Sequence, residues 1–379
     1  MMVYVNLAEA EHFFALLRLA LGNPGAAVSD FLAHTREDWL CLQDIATRQS
    51  VLGLAYLGIG RLPVDRRPPS DILLQWAWET EQIRGHNSIL NAEAARLTEA
   101  FAECGCQTAV LKGPANARLY PDPLLRQCGD IDIWVSGGKD EIIRHLDKLG
   151  WSYIKESNVL EASHHLNLSR NCSNAQVEIH FKLSSGNYNP FTNSCLMRYL
   201  ESKIKDVNKA PEGFYVPSLQ FALVMQLAHI QKHFINKGIG FRQLVDYFIL
   251  LQHSTESDRK EVAAQLPKMG LSHTCGALMW VLEHVLGLEQ NQMLCRPDHW
   301  RGAWMLNMIL AEGHFGFYNQ REKWNVVPRW FAQKWRSLRL FAFVPSESLW
   351  KEFYYWGWLF RSIPLRIRLR KFSLRDIRE

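Results

Sequence analysis

Residues 108–135 read TAVLKGPANARLYPDPLLRQCGDIDIWV, and this stretch decides the fold. Asp130 and Asp132 alternate here with Ile131, Ile133 and Val135, which is the period of a β-strand. Residues i and i+2 of a strand project from the same face, so the two carboxylates lie side by side. Water at an exposed sheet edge accommodates such a pair, and so does a divalent cation shared with a third ligand. The motif alone leaves both interpretations open.

The turn upstream of the pair carries residues suited to an anion. Lys112 and Gly113 end a short apolar run and precede a helix-compatible segment, 114–120. A glycine lets backbone N–H groups approach a phosphate, and a lysine adds a positive charge. An anion-binding turn followed by a carboxylate pair suits metal-assisted phosphoryl or nucleotidyl transfer. An ordinary strand, turn and helix is the alternative.

A third carboxylate follows in VEIHFKL, residues 177–183. Strand alternation places Glu178 and His180 on one face and the apolar residues on the other. We expect an antiparallel neighbouring strand to bring Glu178 beside the aspartate pair, where it binds a metal ion or acts as general base. His180, together with His164 and His165, either orients a carboxylate or phosphate there or has a structural role.

The segment from about Val110 to Leu183 resembles the uncharacterised nucleotidyltransferase family of the DNA polymerase beta superfamily. That superfamily has a glycine turn before a helix, then an aspartate pair on the next strand, then a third acidic residue on a neighbouring strand. The resemblance implies a nucleoside triphosphate (NTP) as co-substrate and two Mg²⁺ or Mn²⁺ ions. The positions that match its metal-binding set are Asp130, Asp132 and Glu178.

We also predict a nucleotide-binding set, in which Gly113 matches the superfamily turn. It comprises Lys112, Gly113, Arg126, Gly129 and His180. Arg126 arrives just before the aspartate strand, where it contacts a phosphate or is a surface residue paired with Asp122. The superfamily turn normally has a second small residue after its glycine. Here that position is Pro114, which donates no N–H to a triphosphate.

The helices after residue 217 supply further candidates. His229 and His233 share one face of the predicted helix 218–234, and Arg242 and Asp246 form an i, i+4 pair on the next helix. The two histidines lack the intervening glutamate of an HExxH motif, so we do not expect zinc. By resemblance to related transferases, these four residues line the cleft and contact the nucleotide. A polar network between packed helices is the alternative.

The chain divides into five predicted regions. These are an N-terminal helical region (1–105), a catalytic core (106–183), a polar linker loop (184–217), a C-terminal helical domain (218–322) and aromatic, basic helices with a tail (323–379). Within the core we predict strands at 108–111, 131–135, 152–155, 164–169 and 175–183, and helices at 114–120 and 139–149. The fold class is α+β and mainly helical: a small mixed sheet flanked by N-terminal helices and a C-terminal helical domain.

The C-terminal tail contains the chain's excess positive charge. Residues 361–379 carry seven basic and two acidic residues, which equals the net charge of +5 for the whole chain. The rest is near neutral, so nucleic acid is an unlikely partner. The aromatic, basic end can contact an anionic membrane peripherally or grip a single strand of nucleic acid, or it consists of helices packed on the body. We expect the loop 312–316 to cover the site.

Composition favours a cytoplasmic protein. The first residues lack the basic region of a signal peptide, and no apolar run reaches about 18 residues. The eight cysteines show no zinc spacing and are expected to be free thiols. The sequence thus predicts a nucleotidyltransferase acting on a small molecule, sugar or protein. The alternatives are a catalytically silent nucleotide-binding scaffold and an adaptor docked on membrane or RNA through the tail.

Overall fold

A five-stranded sheet stands between two groups of helices in the computed structural model. The structure describes residues 7–23, 35–154, 164–312 and 326–368. Most of the predicted covering loop, 313–316, and the end of the basic tail, 369–379, lie outside the described residues. The predicted α+β class, mainly helical with a small mixed sheet, is confirmed.

The N-terminal group consists of four helices. They are α1 (Leu7–Leu21), α2 (Arg36–Arg48), α3 (Leu52–Gly60) and α4 (Ser70–Glu103). Helix α2 begins with a capping box, in which Thr35 and Asp38 satisfy each other's backbone N–H groups. Helix α4 is 34 residues long and packs its last turns, including Leu97 and Phe101, against the sheet. The N-terminal helices therefore support the sheet from its apolar side.

The sheet is mixed, as predicted, but one pairing differs from the expectation. Its strands are β1 (Thr108–Val110), β2 (Ile131–Val135), β3 (Tyr153–Ile154), β4 (His165–Leu168) and β5 (Val177–His180), in the order β1-β2-β5-β4-β3. Strand β5 runs parallel to β2, whereas we expected an antiparallel neighbour for Glu178. The chain crosses over through α6 (Lys139–Lys148), and β5 then returns between β2 and β4.

The two faces of the sheet differ in chemistry. One face contributes Ile131, Ile133, Val177 and Ile179, all fully buried in a cluster with α4 and α6. On the other face, the register places Asp132 opposite Glu178 and Trp134 opposite His180. Trp134 packs against a large core cluster to which both the N-terminal and the C-terminal helices contribute. The polar face of the sheet is therefore turned toward this shared core.

The C-terminal group begins earlier than the sequence indicated. The segment predicted as a polar loop, 184–217, contains α7 (Pro190–Lys203) and a hairpin of β6 (Val207–Lys209) and β7 (Tyr215–Pro217). Pro190 occupies the first turn of α7, and the Asn189 side chain caps that helix. The loop prediction was wrong because a proline that starts a helix also resembles a loop signal.

Seven longer helices complete the described chain. They are α8 (Leu219–Asn236), α9 (Phe241–His253), α10 (Glu256–Gln265), α11 (Ser272–Val281), α12 (His299–Glu312), α13 (Val326–Phe343) and α14 (Pro345–Arg368). Helix α8 is almost entirely buried, which suits its dense apolar sequence. No helix among the described residues combines the length and the apolar character needed to cross a bilayer.

A tight turn joins β1 to the short helix α5 (Pro114–Ala117). Gly113 has φ +64° there, a conformation that residues with a Cβ rarely adopt. A Cβ at Gly113 would lie 2.8 Å from the carbonyl oxygen of Asp130. The turn thus brings Gly113 into close contact with the backbone at Asp130, just before the aspartate strand.

We expect Gly113→Ala to lower the free energy of unfolding by about 2–3 kcal/mol, because it combines backbone strain with a collision. Gly105 is the matched control. It also has positive φ, +80°, but a Cβ there meets nothing within 4 Å. Gly105→Ala should cost only about 1 kcal/mol. Urea denaturation measures both, and equal losses would contradict the close contact.

Candidate active site

Asp132 is the centre of a charged cluster on the polar face of the sheet. Its side chain is fully buried, and its Oδ1 lies 2.9 Å from the Nζ of Lys112 and 2.9 Å from the Nε2 of His180. Lys112 reaches it because the backbone N–H of Leu111 is bonded to the carbonyl of Asp132, which aligns the end of β1 with β2. His180 reaches it from the neighbouring strand β5. One carboxylate oxygen therefore accepts from two basic groups.

Glu178 lies directly opposite Asp132 in the parallel pairing of β2 with β5. Its Oε2 is 3.4 Å from the Nε2 of His180 and 3.6 Å from the Nδ1 of His165. Strand β4 supplies His165 because its register pairs that residue with His180. The predicted proximity of Glu178 to the aspartates is confirmed, although the strands run parallel.

Asp130 stands half-buried just before β2, two residues from Asp132 on the same side of the strand. Burial and the negative charge of Asp132 raise the pKa of its carboxyl group, and Lys112 opposes that shift. Gly129, which precedes it, is exposed. Asp130 is thus the more accessible member of the pair.

Mutual charge compensation sets the protonation of the cluster. Burial would raise the pKa of Asp132, but Lys112 and His180 together hold it well below its ordinary value. Burial would lower the pKa of Lys112 and of His180, and the surrounding carboxylates raise both instead. Asp132 is therefore ionised and Lys112 is cationic. The charged groups of the cluster stabilise one another in place of the water that burial removes.

The cluster has the donor set of a divalent-cation site. Ligand atoms of Asp132, Glu178 and His180 lie within 4.8 Å of one another, and His164, His165 and His180 form an overlapping group. The Oδ2 of Asp132 is buried without a hydrogen-bond partner. A buried carboxylate oxygen without a donor is a position that a cation satisfies. The residues therefore fit a bound metal ion.

His229 and His233 of α8 face this cluster, as their shared helical face predicted. Their ring centroids are 4.2 Å apart, and both side chains are half-buried. Burial lowers the pKa of His229 well below its ordinary value and that of His233 to about 3, and the charge of Lys112 contributes to both shifts. Both rings are consequently neutral near pH 7. The charges of Lys112 and Asp132 act on both rings, so this part of α8 lies near the cluster.

Arg126 is buried and bound to Asp246 of α9. Its Nε donates to one carboxylate oxygen at 2.7 Å and its Nη2 to the other at 2.6 Å. The hydroxyl of Tyr120 donates to the same carboxylate at 2.7 Å. The alternative of a surface pair with Asp122 was wrong, because Asp122 pairs with Arg84 instead. A contact between Arg126 and a phosphate stays a prediction.

Arg242 lies in the first turn of α9, beside the segment that leads into the aspartate strand. Its Nη1 donates to the carbonyl of Gln127 at 2.6 Å and stands 3.9 Å from where a Cβ of Gly129 would be. The predicted i, i+4 pair of Arg242 with Asp246 is a minor one. Arg126 holds that carboxylate at both oxygens, and Arg242 adds only a smaller favourable charge.

Sequence reasoning missed Tyr120 and Gln127. Tyr120 was assigned to the end of a helix, and its hydroxyl is instead the third group of the buried cluster around Asp246. The side chain of Gln127 accepts from the backbone N–H of Leu52 at 2.7 Å and ties the segment to the N-terminal helices. Pro121 and Pro123 indicate a loop in this segment, but no local pattern indicates which residues it contacts.

The sheet with its carboxylates and the helical wall define the class of a nucleotidyltransferase. The chain belongs to the uncharacterised nucleotidyltransferase family, whose sequence model matches residues 35–287. Among solved structures, it is similar to an antigenic nucleotidyltransferase-like protein from Paracoccidioides brasiliensis. The two are 12% identical, over 53% of this chain and 93% of that chain, with a TM-score of 0.32. No curated protein matches the chain.

Removing Asp246 should destabilise the fold strongly. We expect Asp246→Ala to lower the free energy of unfolding by about 3–5 kcal/mol, because Arg126 remains buried without a counter-charge. Asp44→Ala, which breaks the exposed i, i+4 pair with Arg48 in α2, should cost no more than about 1 kcal/mol. Urea denaturation of both variants measures the difference. Similar losses would show that the buried pair has no special weight.

Proposed function

We propose that this protein is a Mg²⁺- or Mn²⁺-dependent nucleotidyltransferase. It would transfer a nucleoside monophosphate from an NTP to a hydroxyl or phosphate acceptor and release pyrophosphate. The single observation that carries the proposal is the pairing of Asp132 with Glu178 on adjacent strands, with Asp130 two residues away on the same face. Membership of the nucleotidyltransferase family supports it.

The carboxylates Asp130, Asp132 and Glu178 would hold the metal ions. Such ions would supply Lewis-acid chemistry there, polarising the transferred phosphate and lowering the pKa of the attacking hydroxyl. The Nε2 of His180 contacts both the Oδ1 of Asp132 and the Oε2 of Glu178, so His180 would orient these two carboxylates. The Oε2 of Glu178 lies 3.6 Å from the Nδ1 of His165 and 3.4 Å from the Nε2 of His180, and this carboxylate would alternatively accept the acceptor's proton as general base.

Side chains rather than backbone would bind the triphosphate. Pro114 contributes no N–H at the start of α5, so Lys112 is the main positive charge in the turn. Gly113 allows the turn to approach the aspartate strand closely. Arg242, beside Gly129, adds a second cation near Asp130. The neutral His229 and His233 can donate hydrogen bonds to phosphate or base without adding charge.

The acceptor would be a small molecule, a sugar or a protein. The near-neutral body of the chain disfavours nucleic acid, because phosphate backbones are bound mainly through dense positive charge.

The eight cysteines are all free, and Sγ atoms of Cys275 and Cys295 lie 3.3 Å apart as thiols. Free thiols are usual in a reducing compartment, which supports a cytoplasmic location.

The test is transfer of label from α-³²P-labelled ATP, GTP, CTP and UTP with Mg²⁺ or Mn²⁺ in the presence of cell lysate. We expect the wild-type protein to label a discrete acceptor and Asp130→Asn/Asp132→Asn to lose labelling completely. Asp140→Asn, an exposed carboxylate at the start of α6, is the matched control and should retain full activity. Glu178→Gln should lower the rate by about 10²–10⁴-fold if it is the general base.

Two results would contradict the proposal. Labelling by the double aspartate variant would place the chemistry elsewhere. Absence of labelling together with absence of Mg²⁺·NTP binding by the wild-type protein would favour a catalytically silent scaffold that keeps the fold. The identity of the labelled species distinguishes a sugar, a small molecule and a protein acceptor.

A further inference from the structure

Helix α14 has an exposed apolar stripe. Its members are Leu349, Phe353, Trp356 and Phe360, whose side chains are 59%, 65%, 41% and 64% exposed. Their spacing of four, three and four residues places them on one line of an α-helix. Large apolar side chains that form a continuous exposed line mark an interaction surface more often than isolated ones do.

The opposite face of α14 is fixed to the body of the protein. The carboxylate of Glu347 accepts from the backbone N–H of Tyr188 at 2.6 Å, and the Nζ of Lys351 donates to the carbonyl of Ile235 at 3.0 Å. Residues 347 and 351 lie about half a turn away from the stripe on the helix. The anchored face therefore directs the apolar stripe outward.

The charge of the following sequence identifies the partner. From Phe353 through Arg375 the sequence contains no acidic residue and six basic residues. A helix with an exposed apolar line, followed by a cluster of lysine and arginine, has the two features that bind a membrane surface of anionic lipid. We propose that the stripe of α14 inserts into the headgroup region of an anionic bilayer, and that the positive charge of the adjoining sequence favours anionic lipid.

An anionic bilayer fits this surface better than RNA does. The stripe itself contains no charged residue, and one of its members, Leu349, cannot stack on a base. The aromatic residues around it, including Tyr354, which is 49% exposed, suit the boundary between lipid tails and headgroups. This surface would bring the proposed transferase to lipid-linked or membrane-associated acceptors.

The test is vesicle flotation of the full-length protein. We expect binding to phosphatidylcholine vesicles that contain phosphatidylglycerol, little binding to phosphatidylcholine alone, and weaker binding as salt rises. Phe353→Ser/Phe360→Ser should reduce the partition coefficient by more than about tenfold. The matched control is Leu74→Ser/Trp78→Ser on α4, which changes two residues that are 72% and 64% exposed and should have no effect.

Several outcomes would overturn this proposal. They are equal binding by Phe353→Ser/Phe360→Ser and the wild type, equal binding to neutral vesicles, and salt-sensitive binding to single-stranded RNA without vesicle binding. A wild-type dimer in analytical ultracentrifugation that Phe353→Ser/Phe360→Ser converts to a monomer, again without vesicle binding, would assign the stripe to a second copy. Because all four exchanged side chains are exposed, the variants should keep the wild-type thermal unfolding curve.

A separate observation concerns Lys112 and rests on the proposed function. Its Nζ contacts the Oδ1 of Asp132 at 2.9 Å, and the charges of Asp132, Asp130 and Glu178 act on it together. The ammonium group is therefore paired with Asp132 and is also attracted by the charges of Asp130 and Glu178. A second cation that enters this cluster meets the repulsion of Lys112 at short range.

We infer that Lys112 couples metal binding to nucleotide binding. In the nucleotide-free protein its charge opposes a divalent cation at the carboxylates. The phosphates of a bound nucleotide offer the ammonium group another anionic partner, and its movement toward them frees Asp132 for the metal ion. Such coupling is reciprocal, so each ligand strengthens the binding of the other.

Binding of Mn²⁺ alone, followed by electron paramagnetic resonance, tests this coupling without any turnover. Lys112→Met, which keeps the length of the side chain and removes its charge, should bind Mn²⁺ at least about tenfold more tightly than the wild type. A non-hydrolysable NTP analogue should tighten Mn²⁺ binding by the wild type much more than by the variant. Lys182→Met, at an exposed position, is the matched control.

Equal Mn²⁺ affinity of Lys112→Met and the wild type without nucleotide would overturn the inference and leave the proposed function intact. Absence of Mn²⁺ binding by either protein, with or without the analogue, would overturn both. Lys112→Gln provides the same comparison in a more polar form if the methionine variant unfolds.

Discussion

Three carboxylates on one face of a small sheet impose the constraint on which the rest of the molecule depends. Negative charges this close raise each other's pKa unless cations stand among them. The chain meets that requirement from two directions, with Lys112 at the end of β1 and His180 on β5. Helix α8 then closes over the polar face with two neutral histidines, which add no charge of either sign. The charges of the cluster compensate one another, and solvent reaches the cluster at the half-buried Asp130.

The buried group formed by Arg126, Asp246 and Tyr120 joins the sheet to the C-terminal helices. Its two charged members are 120 residues apart in the chain and are both nearly inaccessible to water. A buried ion pair gives little net stability compared with apolar residues, but a single orientation satisfies all of its hydrogen bonds. We infer that the pair defines how the two walls of the cleft face each other, which sets the distance between carboxylates and histidines.

The local patterns of the sequence predicted the strands that carry the candidate site but not the tertiary partners of its side chains. Alternation around Asp132 and Glu178 predicted two strands with acidic faces, and both exist. Strand direction was wrong because alternation is the same in parallel and antiparallel sheets. The partner of Arg126 could not be read from its neighbours, since Asp246 comes from a distant helix. The helix beginning at Pro190 was missed because proline marks both loops and helix starts.

The position of β5 in the sheet has a consequence for the order in which the molecule is made. This strand lies between β2 and β4, and both of those precede it in the chain. During synthesis the two outer neighbours emerge first, while the edge that each will offer to β5 is still unpaired. Asp132 then lacks both Glu178 and His180, which arrive together on one strand. The pair of Lys112 and Asp132 needs only β1 and β2, whereas the complete cluster requires β5 to enter the sheet.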